Sequence, residues 1–163
     1  MSVAAPRSSA NRTDEMELVS FYVGDLLVGV DIGHVEEINR HLDLTPIPHA
    51  PASVRGVVNL RGDVVTVLDL RTILGLEKVE ISKHTRNVVV ASGGERIGLL
   101  VDRISDVVRA WPDDIDPSPA NVRGGEGRFF KGIYQLEKEL LVILDVDAVV
   151  NADCGGSNPR STV

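Results

Sequence analysis

The 163 residues include one cysteine, Cys154, in a stretch rich in Gly, Ser, Asn and Pro. A lone thiol closes no intrachain disulfide and offers no cluster of soft ligands for zinc. Aromatic residues are almost as scarce, at three Phe, two Tyr and one Trp. Basic excess is absent too: the formal charge is -7 and the isoelectric point near 5.0, which works against phosphate backbones and anionic lipid and excludes nucleic acid as a partner. There is no long apolar run at the start. Residues 1–17 hold Pro6, Arg7, Arg12 and several acids, so they are read as neither signal peptide nor membrane anchor. A cytoplasmic protein with no direct membrane insertion is expected. The sequon at Asn11, Arg12 and Thr13 is then without meaning. What the chain does have is 43% hydrophobic and 25% charged residues and a mean hydropathy of +0.06, the proportions of a folded globular chain of one domain or two small ones. Twenty-five of the residues are valine. Valine is stiff at Cβ and favours pleated structure, so strands are expected before any pattern is read.

The chain also repeats itself. Residues 56–74 lie over residues 132–150 without a gap, with Gly56/Gly132, Leu60/Leu136, Leu68/Leu144 and Asp69/Asp145 identical. Upstream, residues 28–38 lie over 97–107, with Gly29 over Gly98. An insertion between the matched blocks of the second copy carries Trp111, Pro112, Pro117, Pro119 and the glycines near 124–127. Each copy reads as strand, turn, strand: 18–23 and 26–32, a third strand near 35–39, then a hairpin over 57–68 turning at Arg61, Gly62 and Asp63. Asp69 and Asp145 each precede a short apolar run and are expected to cap one or two helical turns. The expected fold is all-β: two small five-stranded barrels from an internal duplication, with short helices. One copy covers about 18–75 and the other about 87–150, joined by the charged stretch 77–86, with an arm at 1–16 and a tail at 151–163. Modules this small are marginal alone, so the copies should pack together and leave a crevice where partners bind.

Catalytic patterns fail one by one. A duplicated β chain with one Asp per half invites an aspartic protease reading, but that chemistry needs a small hydroxylated residue and Gly after each Asp. Here Leu70-Arg71 and Val146-Asp147 follow. His34, His41, His49 and His84 lack the spacing of a zinc helix, and no metal or cofactor is expected. The glycines at 125 and 127 fail the dinucleotide fingerprint, and Ser92-Gly93-Gly94 reads as a hairpin turn, not a nucleophile elbow. What remains is an asymmetry: one hairpin tip carries Arg61-Gly62-Asp63 and the other Glu137-Lys138-Glu139. An arginine on a glycine-shaped turn suits an interface anchor, because its planar fork makes directed charged bonds. Near it, Val35-Glu36-Glu37-Ile38 offers an apolar and acidic strip.

The run from Pro48 and Pro51 through Val54, Gly56, Asn59, Leu60, Arg61, Gly62 and Val67 to Asp69 and Leu70, with Gly29, Ile32, Gly98, Asp102, Ile104 and Val107 around it, resembles the CheW family of chemotaxis coupling proteins. The resemblance covers residues 17–151. It implies two SH3-like barrels forming a CheW-like domain over 17–150, and a non-enzymatic adaptor joining methyl-accepting chemotaxis receptors to the CheA histidine kinase. It also implies that the receptor cytoplasmic tip docks as a helical hairpin on Ile32, Val35, Glu37, Ile38, Arg55, Gly56, Arg61 and Gly62. The regulatory domain of a CheA-type histidine kinase would meet Ile115, Asp116, Pro117, Pro119 and Asn121; Asp116 and Asn121 stand where the family can have a basic and an aromatic residue. A coupling protein of a non-flagellar pathway is the alternative, and a duplicated-barrel hydrolase the remote one.

Overall fold

In the computed structural model, which describes residues 15–40, 42–117 and 129–151, the valine-rich runs are strands. In chain order these are β1 (Met16–Val23), β2 (Leu26–Asp31), β3 (Val35–Asn39), β4 (Val54–Leu60), β5 (Asp63–Asp69), α1 (Leu70–Ile73), β6 (Arg86–Ser92), β7 (Glu95–Val101), β8 (Arg103–Ala110), β9 (Phe130–Gln135), β10 (Leu140–Leu144) and α2 (Val146–Val150). The short helices are capped as the sequence requires. The Asp69 carboxylate accepts the Arg71 N–H at 3.0 Å, and that of Asp145 accepts the Ala148 N–H at 3.1 Å.

The strands form two five-stranded sheets, ordered β8-β1-β2-β10-β9 and β3-β6-β7-β5-β4. These are not the sheets expected from the repeat. Neither 18–75 nor 87–150 closes on itself. The second sheet is the continuous stretch β3 to β7, inserted into a split sheet that takes β1 and β2 from the first copy and β8 to β10 from the second. The crossovers explain the exchange. A three-residue turn at Ile32–His34 follows β2, and Asp102 alone follows β7. Connections so short carry the chain straight into the neighbouring sheet, where β3 lies beside β6 and β8 beside β1. The two parallel pairs, β2 with β10 and β5 with β7, are then joined through long excursions, as parallel pairing demands.

Among the described residues, each sheet closes into a barrel through one bridge. Thr45 exchanges two backbone hydrogen bonds of 2.9 Å with Val57, and Asp116 does the same with Ile133. Both closures rest on a repeat glycine. A Cβ on Gly56 would stand 2.6 Å from the Thr45 carbonyl oxygen, and one on Gly132 would stand 2.5 Å from the Ile115 side chain.

Alternation along the strands fills three cores. Val19, Phe21 and Val23 of β1, with Val88 and Val90 of β6, Ile97 and Leu99 of β7 and the buried faces of both helices, form the largest, shared between the barrels. Leu18, Leu27, Leu141 and Ile143 fill the split barrel, and Val58, Val65, Val67, Val89 and Leu100 fill the inserted one. Strands buried on both faces have no use for polar alternation, which accounts for the valine excess. Three polar residues of the strands are buried, Ser20, Asp69 and Asn87, and the first two have hydrogen-bond partners. Asn87 is fully buried in β6, and neither its amide nitrogen nor its carbonyl oxygen has a protein partner.

Candidate functional site

The β4–β5 turn gives the first hairpin tip its shape. Arg61 and Gly62 both have positive φ, 53° and 91°, the pattern of a tight primed hairpin turn. The Asn59 side chain holds it by accepting the Gly62 N–H at 2.9 Å. Arg61 pays some strain to sit there, and its side chain is 71% exposed. Its guanidinium reaches β3 and pairs with Glu37, whose hydrogen bond and then whose charge push the Arg61 pKa above its ordinary value. Glu37 is spoken for on its other oxygen by the Asn39 amide. The tip therefore presents a cation outward, oriented from behind by an acid.

Apolar surface flanks it. Ile32 and Ile38 are partly exposed, and Val64, just beyond the turn, is 68% exposed, more than any other large hydrophobic residue among those described. Val35 is half-buried against the shared core. Next to this strip Arg96 of β7 pairs with Glu36 at 2.8 Å and with Asp63 at 3.1 Å, tying three strands together.

Two of the eight expected receptor residues stand apart. Arg55 turns to the Asp69 carboxylate at 2.8 Å, where Asp69 is 3% exposed, and Gly56 is buried under Thr45. Both hold the base of the hairpin. Both carboxylate oxygens of Asp69 thus accept a hydrogen bond, one from the helix N-terminus and one from Arg55. Asp69→Asn is expected to cost about 2 kcal/mol in urea unfolding, less than a fully buried pair because Arg55 keeps some contact with water. An unchanged midpoint would contradict this role.

On the split barrel, Ile115 and Pro117 line a pocket of about 310 Å³ at the barrel mouth, with Met16, Pro112, Ile143 and Lys131. Asp116 is the closing bridge to β9. Pro119 and Asn121 lie outside the described residues, as do His41, Cys154 and the sequon. The second tip is built differently from the first: the Tyr22 hydroxyl donates to Glu139 at 2.8 Å, and the Arg103 guanidinium lies 4.2 Å over the ring. That hydrogen bond, more than burial, raises the Tyr22 pKa. The expected crevice exists at the seam of the barrels, a cavity of about 460 Å³ walled by Leu26, Leu74, Leu76 and Phe130, but none of the expected receptor residues lines it.

His34 bonds the Ala91 carbonyl through Nδ1 at 3.0 Å. Among the described residues no group of three or more His, Cys, Asp or Glu is placed to hold a metal ion, and no helix is long and apolar enough to cross a membrane.

The model of the CheW-like domain family matches residues 17–154. The chain belongs to the CheW-like family. A CheW chemotaxis protein of Rhizobium meliloti (strain 1021) is 36% identical over 133 residues, covering 82% of this chain and 86% of the relative. The solved structure of the scaffolding protein TtCheW from Thermoanaerobacter tengcongensis superposes with a TM-score of 0.75 at 31% identity, over 80% of this chain and 88% of that one. Protein FrzA of Myxococcus xanthus is 36% identical over 111 residues, 68% of this chain and 69% of its own. With this kinship the chain is a chemotaxis adaptor of the CheW kind, built from two SH3-like barrels. Within the CheW-like domain, sequence reasoning left Val64 and Arg96 out of the candidate site. Val64 could have been found from the hairpin register, which leaves it outward; Arg96 meets Glu36 and Asp63 through long-range pairing that no local pattern marks.

Proposed function

We propose that this chain joins the cytoplasmic tip of a methyl-accepting chemoreceptor to the regulatory domain of a CheA-type histidine kinase, and that it catalyses no reaction itself. The receptor seat is the inserted barrel around Ile32, Val35, Glu37, Ile38, Arg61 and Gly62, with Arg55 and Gly56 supporting it from beneath. The observation that carries this reading is the Arg61 tip: an exposed cation, held at fixed bearing by Glu37 and flanked by apolar side chains. An amphipathic helix would lay apolar residues on Val35 and Ile38 and offer an acid to Arg61. The kinase seat is the split barrel around Ile115, Asp116 and Pro117, and by sequence it includes Pro119 and Asn121.

Arg61→Glu is expected to weaken binding of a receptor cytoplasmic fragment by roughly tenfold or more, the scale of a hot-spot arginine. Its thermal unfolding should hardly move, since exposed pairs contribute little to stability. Calorimetric titration with the receptor fragment and with the kinase domain decides the matter: association with neither would end the proposal, and unchanged receptor affinity would remove Arg61 from the seat. The likeness to FrzA sustains a second reading, a coupling protein whose kinase drives pili, surface motility or another non-flagellar output. Loss of swimming taxis on deletion, with surface motility intact, would eliminate it.

A further inference from the structure

Among the described residues the chain passes between the barrels at two places, the turn Ile32–His34 and Asp102. The repeat puts Gly33 at the first crossing where Asp102 stands at the second. Asp102 uses that difference. Its carboxylate accepts the Gly24 N–H at 2.6 Å from the β1–β2 turn of the split barrel. From α1 of the inserted barrel it accepts Arg71 Nε at 3.1 and 3.2 Å and Nη2 at 2.9 Å. Its own N–H donates to the Tyr22 carbonyl at 3.0 Å. The remaining arm of Arg71 donates to the Glu77 carbonyl at 2.7 Å, fastening the connector as well. Both side chains are less than a third exposed, 29% for Asp102 and 18% for Arg71. Across the seam, α2 returns the tie: the Ser92 hydroxyl at the end of β6 donates to Asp147.

The apolar core between the barrels resists their separation but is non-directional. Bidentate charged bonds are directional, and they sit at the rim, where leverage on the angle is greatest. Resting on the function proposed above, the two seats lie on different barrels. We propose that Asp102, acting through Arg71 and Gly24, is a positioning residue for ternary assembly: it fixes the angle between the receptor seat and the kinase seat. An adaptor with a fixed angle presents each partner to the other at a high effective concentration, which a loosened seam disperses.

The test uses the full chain, the receptor cytoplasmic fragment and the kinase regulatory domain. Kinase-domain affinity is measured with and without saturating receptor fragment, and the ratio is the coupling. Asp102→Asn and Arg71→Lys are each expected to lower that ratio by about fivefold or more, while both separate affinities stay within about twofold. Spin labels at Glu95→Cys on the inserted barrel and Lys138→Cys on the split one, in a Cys154→Ser background, should show a broader distance distribution in either variant. Unchanged coupling, an unchanged distribution, separate affinities that fall in step with the coupling, or no coupling in the unaltered chain would each overturn the inference and leave the adaptor reading standing. Loss of fold in both variants would reduce Asp102 to a structural part and overturn it too. An unaltered chain that binds neither partner refutes the adaptor reading itself.

Discussion

Replacing Asn87 with leucine is expected to raise the free energy of unfolding by about 1–3 kcal/mol, the penalty of a buried polar group left without a partner. The residue is fully buried and both amide atoms are orphaned. Its repeat counterpart is Leu18, a fully buried member of the split-barrel core. Asn and Leu branch alike, so the substitution trades two unpaired polar atoms for two apolar ones of similar placement. Gly98 makes the room: a Cβ there would lie 2.2 Å from the Asn87 side-chain oxygen. The same space receives the leucine. The repeat partner Gly29 performs the matching service for Leu141, whose side chain passes within 3.1 Å of where its Cβ would be. A rightward shift of the urea midpoint at constant slope is the expected readout. A leftward shift would mean that the amide is satisfied by a buried water and that the barrel needs it.

Gly56→Ala is expected to move stability the other way, by about 3 kcal/mol. The φ of 149° at Gly56 is one that side chains rarely adopt, and the added methyl would strike the Thr45 carbonyl at 2.6 Å. Because that carbonyl is one half of the only bridge closing the inserted barrel among the described residues, the methyl must break the closure or displace β4. Gly62→Ala makes an instructive control. It also has a positive φ, 91°, but a Cβ there meets nothing within 4 Å, so only backbone strain opposes it, about 1 kcal/mol. The two glycines of the proposed receptor seat thus do different work, one holding the barrel shut and the other shaping the exposed tip. Urea unfolding of both variants separates them, and equal costs would contradict this division.

Local chemistry was readable from the residues because it is enforced within a few positions. Asp69 and Asp145 precede apolar runs and cap them; Arg61-Gly62 sits between two alternating strands and turns them. The pairing of strands was not readable, for a physical reason. Equivalent strands of the two copies carry nearly the same alternation, so hydrophobic pattern cannot say which copy a hairpin will join. That choice is made by crossovers of three residues and of one, and by the match of Leu141 of the second copy to Gly29 of the first. The shape of the candidate site was legible at its exposed tip, where Arg61 and Gly62 turn the hairpin, and the inward placement of its base was not. Arg55 and Gly56 adjoin Arg61 in the motif, yet strand alternation and a bulge between Val54 and Gly56 turn them inward.

The inserted barrel also sets an order of completion. Its last strand, β7, is made well before the end of the chain, whereas the barrel that owns the first two strands needs β10, the last strand formed. As the chain emerges from synthesis, β1 and β2 are a hairpin without a sheet, and two strands alone are marginal in water. Among the described strands, the first two in the chain are therefore the last to be enclosed. Its parallel partner for β2 arrives more than a hundred residues later, a distant closure of the kind that slows folding.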